Sequence, residues 1–195
     1  MTIPLSNLKP LQLAFTLTFI FFLPLGGCSK YSDEVQANLT KLKEIKSCSG
    51  CDLTGVELIS FNLKNADLSG ANLTGANLRR SDFTRANLTD TNLTDADLVG
   101  AIFTDAKLTN TNLSGVKLSY SNINGADISD SLLVDASMNS SKILNSKISD
   151  TNMTGANLYS ADLTGTKVSK ETLKDTVLCK TIMPSGQQND SGCKR

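Results

Sequence analysis

The sequence contains no histidine and no tryptophan, and it has no net charge because 19 acidic residues balance its 19 basic ones. The missing histidine removes the commonest general base and metal ligand of proteins. A neutral chain also lacks the basic surface with which nucleic-acid binders displace counterions, and it lacks the acidic excess of a DNA mimic. We therefore expect no catalytic residue, no metal site, no cofactor and no nucleic-acid partner.

An apolar residue occurs at every fifth position from Leu53 to Met183, 27 times without interruption. Around it the sequence reads Ala-(Asp/Asn)-Leu-(Thr/Ser)-X, as in ADLSG at 66–70 and ANLTG at 71–75. A period of five matches neither the 3.6 residues of a helical turn nor the two of a strand. A chain that turns a corner every five residues and closes a square every twenty accounts for the spacing, so the period predicts a repeat architecture.

These repeats resemble those of the pentapeptide-repeat family, and the resemblance covers about two-thirds of the chain. It implies an all-β fold, a right-handed quadrilateral parallel β-helix with four pentapeptides in each coil. The central apolar residue and the small residue two places before it then point inward, which fills the interior and leaves no cavity for a small-molecule substrate. The predicted structural core includes Leu68, Leu73, Leu78, Phe83, Leu88, Leu93, Leu98, Phe103, Leu108 and Leu113.

The first 27 residues differ from all that follow. Lys9 is their only charged residue, and 11–25 is a mainly apolar segment. Its length suits the hydrophobic region of a secretory signal better than a membrane-spanning helix. The small residues before Cys28 resemble a bacterial lipobox, in which this cysteine would take lipid and become the mature N-terminus.

We therefore expect an exported protein that is lipid-anchored in the cell envelope through Cys28. Ser29 stands where an Asp would resemble an inner-membrane retention signal, which favours the periplasmic side of the outer membrane over the inner membrane. Ordinary cleavage after Gly27 and an uncleaved anchor are the alternatives.

Residues 32–47 carry the pattern of a helix. Ser32 is placed to cap its start, and an apolar stripe follows at Val35, Leu39, Leu42 and Ile45. The open end of a stacked coil exposes strand edges and core, and a short amphipathic helix just upstream would cover them. We therefore predict an N-terminal capping helix.

The predicted organisation has four parts: a lipoprotein-type signal peptide at 1–27, a lipidated tether with the capping helix at 28–50, the β-helix at 51–183, and a closing segment at 184–195. The stretch 178–193 resembles the closing segment of cyanobacterial members of the family. Glu171 falls at a small inward position, which predicts either an irregular last coil or a short helix capped by Ser169.

Four cysteines remain besides Cys28, and four cysteines allow three pairings. Cys179 and Cys193 flank the closing segment, where a disulfide would hold the loose end against the last coil, and export permits such bonds. Cys48 and Cys51 have the CxxC spacing of redox and metal sites. They also fall at the two inward positions of the repeat, which favours a structural role, and whether they are bonded stays open.

The leading functional interpretation is a non-enzymatic envelope lipoprotein that acts as a structural scaffold or presents a surface to a protein partner. Its expected partners are membrane lipid, through Cys28, and an unidentified protein. Two alternatives remain. Better-known family members mimic DNA and interact with gyrase, a role that requires an acidic face and a cytoplasmic location. A thiol redox protein that uses Cys48 and Cys51 is the enzymatic alternative.

Overall fold

A computed structural model describes residues 30–193, so the predicted signal peptide and Cys28 lie outside the described residues. Tyr31–Arg195 form one compact unit with its own hydrophobic core. The elements are, in chain order, α1 (Asp33–Ile45), β1 (Lys147–Ile148), β2 (Lys167–Val168), β3 (Thr181–Ile182) and β4 (Gln188–Asn189). Between α1 and β1 the chain pairs through single β-bridges, one on each side of a four-sided coil.

Every coil of twenty residues pairs in parallel with the next coil. The bridges join residue i to residue i+20, from Ser47 with Asp67 to Asp162 with Ile182. Leu68 donates its N–H to the carbonyl of Asn87 at 2.8 Å, and Asn87 donates to the carbonyl of Ala66 at 2.9 Å. The right-handed quadrilateral parallel β-helix predicted from the period of five is confirmed, and roughly seven coils stacked about 4.8 Å apart give a column about 30 Å tall.

The consensus polar residues form the corners. At one corner the N–H of Ala71 donates to the carbonyl of Leu68 at 3.0 Å, and Gly70 between them has φ 66°. A positive φ at the third residue of such a turn favours glycine, and other residues pay about 1–2 kcal/mol there. Asp67 Oδ1 accepts hydrogen bonds from the N–H and the hydroxyl of Ser69, at 3.2 and 2.8 Å. The (Asp/Asn)-Leu-(Thr/Ser) triplet is therefore a local turn motif.

The interior is filled by the inward side chains. All ten predicted core residues are at most 2% exposed, and burial of each leucine contributes about 1.5–3 kcal/mol. The rings of Phe83 and Phe103 stack between adjacent coils, with centroids 4.8 Å apart. Where a buried Thr replaces the small inward Ala, its hydroxyl donates to a carbonyl of the preceding coil, as Thr91 does to Leu68 at 2.8 Å. The hydroxyls of Ser121 and Ser141 donate instead to the carbonyl three residues earlier, both at 2.7 Å.

Helix α1 closes the first coil. Ser32 caps it by accepting the N–H of Val35 at 3.2 Å, while Leu39 and Leu42 are buried in the core. The inclusion of Ile45 in the apolar stripe was wrong, because this residue is 62% exposed. At 100° per residue, the side chain of Ile45 points about 80° around the helix axis from that of Val35, the first residue of the stripe.

The β-helix begins earlier than the predicted boundary at residue 51. Ser47 already pairs with Asp67, and the N–H of Cys48 donates to the carbonyl of Asp67 at 2.8 Å. Cys48 is fully buried, so it takes the place of the inward leucine in the first coil. The start was misplaced because a cysteine does not continue the row of large apolar residues.

The last coil is irregular. Glu171 is exposed rather than inward, and 169–175 form a turn in which the N–H of Thr172 donates to Ser169 Oγ at 3.0 Å. Within residues 30–193 no bridge joins Asn152 to Thr172, although neighbouring positions pair normally. After it, β3 and β4 pair in an antiparallel hairpin that covers one edge of the final coil.

Candidate functional surface

Outward side chains repeat every twenty residues, so they form columns that run the height of the molecule. We name two opposite sides by their charge. The basic side has the bridged column from Asn62 to Ile182 at its centre, with the corner residues that flank this column on both edges. The acidic side has the bridged column from Asp52 to Asn152 at its centre, again with its flanking corners. The two central columns are ten residues apart in the coil and thus face opposite directions.

The basic side carries six cations and three carboxylates. The carboxylates belong to Asp82, Asp105 and Asp162, and the cations to Lys64, Arg79, Arg80, Arg85, Lys142 and Lys180. Ion pairs hold two of the cations, at 3.2 Å between Lys64 and Asp82 and at 3.1 Å between Arg79 and Asp97. Arg80, Arg85 and Lys142 have no ion pair within the described part of the chain, and all three are exposed.

One corner of the basic side also concentrates exposed apolar groups. Tyr120 is 71% exposed, Ile59 53% and Tyr159 39%, and all three lie in the row of corners that includes Arg79 and Arg80. The ammonium group of Lys180 lies 5.6 Å from the ring centroid of Tyr159, within range of a cation–π contact. Large apolar and cationic side chains thus occur together along this edge.

The same corner holds large residues in a left-handed backbone. Arg80, Tyr120 and Lys180 have φ of 57°, 61° and 55°. On the two corners of the acidic side this position is occupied by Gly, Asp or Asn wherever φ is positive, and these residues adopt it at lower cost. Backbone strain retained at a particular place points to a function for the side chains there.

The acidic side has the opposite balance. Eight carboxylates face two cations, Lys170 and Lys174, and the carboxylates belong to Asp52, Asp90, Asp95, Asp130, Asp135, Asp150, Glu171 and Asp175. Among its described residues the one ion pair joins Lys174 to Glu171 at 3.5 Å. Asn72, Asn92 and Asn112 fill the middle of its central column. The zero net charge of the chain therefore conceals two sides of opposite sign.

Three carboxylates have a pKa below the usual range. Hydrogen bonds from the Ser69 hydroxyl and N–H lower the pKa of Asp67. For Asp82 and Asp127, burial raises the pKa, but hydrogen bonds from Thr84 or Ser129 and a nearby lysine outweigh it. Lys147 Nζ lies 3.6 Å from Asp127 Oδ2, as expected from their stacked positions. These contacts favour the charged form and belong to corner turns, so they indicate structural carboxylates.

The cysteines form two disulfides at opposite ends of the column. Cys48 is joined to Cys51, with their Cα atoms 5.3 Å apart, and Cys179 is joined to Cys193, with Cα atoms 4.6 Å apart. Cys48 is fully buried and Cys51 is 7% exposed, so the first bond lies within the core. Reduction requires that a thiolate reach a sulfur atom, and this burial restricts such access.

Two open grooves flank the irregular turn of the last coil. The larger, about 860 Å³, lies between Ser149–Asn152 and 167–172, and the other, about 530 Å³, lies between that turn and the closing hairpin. The hydroxyl of Thr151 in the first groove donates to the carbonyl of Ile128 at 2.8 Å rather than to a general base. In the part of the chain that the structure describes, no His, Cys, Asp or Glu cluster is arranged to hold a metal ion, and no helix has the length and apolarity to span a membrane.

The sequence analysis did not predict the basic side, although Arg79, Arg80 and Arg85 lie close together in the sequence. The separation of charge is present in the sequence, because residues twenty positions apart lie on the same side of the coil. The net charge of the whole chain, which is zero, contains no trace of this separation. Asp97 is stacked with Lys117 in one column, but its carboxylate pairs with Arg79 at 3.1 Å instead.

The family profile described as "Pentapeptide repeats (8 copies)" matches this chain at 47–85, 66–105, 81–119, 97–135, 117–158 and 136–175. No curated protein matches the sequence. A trypsin-treated variant of QnrB1, a plasmid-mediated fluoroquinolone resistance protein, is similar in structure, with 18% identity, coverage of 64% of this chain and 71% of that chain, and a TM-score of 0.50. That likeness concerns the fold alone.

Two other solved structures are similar over longer stretches but superpose less well. One is a pentapeptide repeat protein from the thylakoid lumen of Arabidopsis thaliana, with 23% identity, coverage of 84% and 91%, and a TM-score of 0.40. The other is Rfr23 from the cyanobacterium Cyanothece 51142, with 25% identity, coverage of 80% and 96%, and a TM-score of 0.25.

Proposed function

The chain belongs to the pentapeptide-repeat family, and we propose that it is a non-enzymatic envelope lipoprotein whose rigid column serves as an interaction scaffold. The observation that carries this proposal is that the interior is packed with side chains, whereas the outer sides differ from one another. The core is filled by apolar side chains, so binding falls to the outer sides. Two of those sides differ in charge and in apolar content, as a scaffold that contacts different surfaces requires.

The lipid anchor is the part of the proposal that rests on sequence. Leu25-Gly26-Gly27-Cys28 closes an apolar segment, and the lipidated cysteine would tether the column to a membrane a few residues before α1. The outer membrane, on its periplasmic side, is the favoured location. Because the two disulfides require an oxidising compartment, they agree with export.

Metabolic labelling with a radioactive fatty acid in a bacterial host tests the anchor. Cys28→Ser should abolish lipid labelling and either stop maturation or release the protein from membranes. Ser29→Ala, next to it, is the matched control and should keep both labelling and membrane fractionation. Lipid labelling that persists in Cys28→Ser would refute the anchor.

The acidic side favours a second candidate, a DNA mimic that interacts with gyrase. Rows of exposed aspartates, such as Asp90, Asp130 and Asp150, do present negative charge at regular intervals. Asparagines rather than carboxylates occupy the middle of that side, and export would separate the protein from chromosomal DNA. A supercoiling assay with equimolar protein and gyrase decides between the candidates: we expect no inhibition, and inhibition that Asp130→Asn relieves would place the mimic first.

The redox alternative has weaker support. Cys48 and Cys51 are bonded and buried in the first coil, whereas a redox cysteine is accessible. We expect native protein to resist alkylation at both residues until it is unfolded and reduced. Turnover of a disulfide substrate that is lost in Cys51→Ser but retained in Cys179→Ser would restore this alternative.

A further inference from the structure

The basic side combines three features that are separate elsewhere on the molecule. It carries four of the eight cations of the repeats that have no ion pair to the described residues, namely Arg80, Arg85, Lys142 and Lys180. It also carries the two most exposed large apolar residues of the repeats, Tyr120 and Ile59. Since the central column of this side is flat, these groups lie along one plane about 30 Å long.

The corner that carries these groups keeps them at a cost to the backbone. Arg80, Tyr120 and Lys180 occupy left-handed positions, where the equivalent residues of the acidic side are Gly, Asp or Asn. Their side chains therefore contribute something that the local fold does not need. An edge that carries cations and amphipathic rings together, with Lys180 beside Tyr159, is suited to a surface that is negatively charged at the outside and apolar just beneath.

We propose that the basic side binds the surface of an anionic phospholipid bilayer, so that the column lies flat with Tyr120 and Tyr159 at the depth of the lipid headgroups. Arg and Lys side chains near such a surface are attracted by its negative potential, and tyrosine prefers the interface because its ring is apolar and its hydroxyl polar. The acidic side would be repelled, which fixes the orientation and leaves that side free for a protein partner.

Carboxylates on and beside this surface offset part of its positive charge. Asp82 is neutralised by Lys64, and Arg79 by Asp97 of the neighbouring side. Asp105 and Asp162 oppose the attraction, and Asp190 of the closing segment accepts the N–H of Lys180 at 3.0 Å. With Asp97 and Asp190 counted, six cations face five carboxylates, which leaves this surface weakly positive, so we expect binding that is weak and depends on salt.

The inference rests on the proposed envelope location, but its test does not depend on the lipid anchor. Residues 28–195 with Cys28→Ser contain the whole compact unit with both caps, so we expect this protein to fold without the first 27 residues. Co-sedimentation with vesicles of phosphatidylglycerol and phosphatidylethanolamine measures binding, and phosphatidylcholine vesicles are the neutral comparison. Binding should require the anionic lipid and disappear at about 1 M salt, where the Debye length is about 3 Å.

Two double variants of equal charge separate position from total charge. Arg80→Glu with Lys180→Glu changes the basic side, and Lys107→Glu with Lys167→Glu makes the same change on an adjacent side. The first should weaken vesicle binding at least about 25-fold, from about fivefold per removed cation, and the second much less. Tyr120→Ser, which leaves the charge unchanged, should weaken binding severalfold.

Each outcome decides the proposal. Equal losses in the two charge variants would show that total charge alone acts, and absent binding to anionic vesicles would overturn the proposal. Binding of poly-glutamate, but not of vesicles, through Arg80 and Lys180 would assign this side to an acidic protein. Lipid at Cys28 without vesicle binding would leave the proposed function intact, and vesicle binding without lipid at Cys28 would refute only the anchor.

Discussion

The stacked pair of Phe83 and Phe103 offers a sharp test of the coil register. Both rings are at most 1% exposed, and they lie nearly parallel with centroids 4.8 Å apart, which equals the spacing of adjacent coils. Truncation of either residue to Ala should cost about 3–5 kcal/mol through lost burial and a cavity. In a domain of this size that corresponds to a fall of about 6–20 °C in the melting temperature.

A double-mutant cycle isolates the contact between the rings. Phe83→Ala with Phe103→Ala should cost less than the sum of the single changes by about 0.5–1.5 kcal/mol, because aromatic stacking contributes beyond burial. Thr104→Ala is the control, since its side chain is partly exposed and has no hydrogen bond to the described residues. Thermal unfolding followed by circular dichroism measures all four variants. Small and equal effects at Phe83, Phe103 and Thr104 would refute the register of five residues.

Three further predictions concern the ends, the core and the corners. Non-reducing peptide mapping should recover Cys179 linked to Cys193, and Cys179→Ser should cost about 3 kcal/mol; free thiols, or links to Cys48 or Cys51, would contradict the pairing. Thr91→Val should cost about 0.5–1.5 kcal/mol because the Leu68 carbonyl loses one of its two donors and keeps the N–H of Ala71, whereas Thr104→Val should change the free energy of unfolding little. Because the folded-state pKa values of Asp67, Asp82 and Asp127 are lowered, their stabilisation is complete above the unfolded pKa of about 3.9 and is lost as pH falls through the folded values. Replacing all three with Asn keeps the Oδ1 acceptors, so the variant's melting temperature should fall less than the parent's on acidification; equal falls would assign the acid sensitivity elsewhere.

The repeat region could be predicted from the sequence because one interaction recurs. An apolar residue such as Leu68 every five positions specifies the inward direction, and the twenty-residue coil then follows from four corners. Even the neighbours of individual residues were predictable, as Phe83 and Phe103 show. Where the five-residue pattern is uninterrupted, the spacing alone is enough to predict which side chains pack inside and which of them are neighbours.

Predictions were weaker where packing and local turns compete. Ile45 fits the spacing of a helix stripe, but the helix ends there in a left-handed residue, Lys46 with φ 52°, so the side chain is left outside the contact. Cys48 occupies a core position without the size of a leucine, which hid the first coil. At Glu171 a charged residue cannot enter the apolar core, but the sequence alone does not show the turn that removes it.

The acidic and basic sides depend on how distant parts of the sequence align. Arg80 and Lys180 are one hundred residues apart, yet they share a corner because they are separated by a whole number of coils. Total charge contains no information about such an alignment. The candidate surface can therefore be read from the sequence only after the residues are placed in coils of twenty.

The repeat of twenty residues has a further consequence for how this molecule tolerates insertions and deletions. Removing twenty residues from the middle shortens the column by one coil, and every later side chain stays on the same side of the column. Removing five residues preserves the apolar period, so the shortened chain still forms a column, but everything beyond the cut is turned by a quarter of a revolution. Lys180 would then point along a neighbouring side while Arg80 stayed in place. The length of the column is thus set by the number of pentapeptides. The side on which a later residue lies is set by the remainder when the number of pentapeptides before it is divided by four.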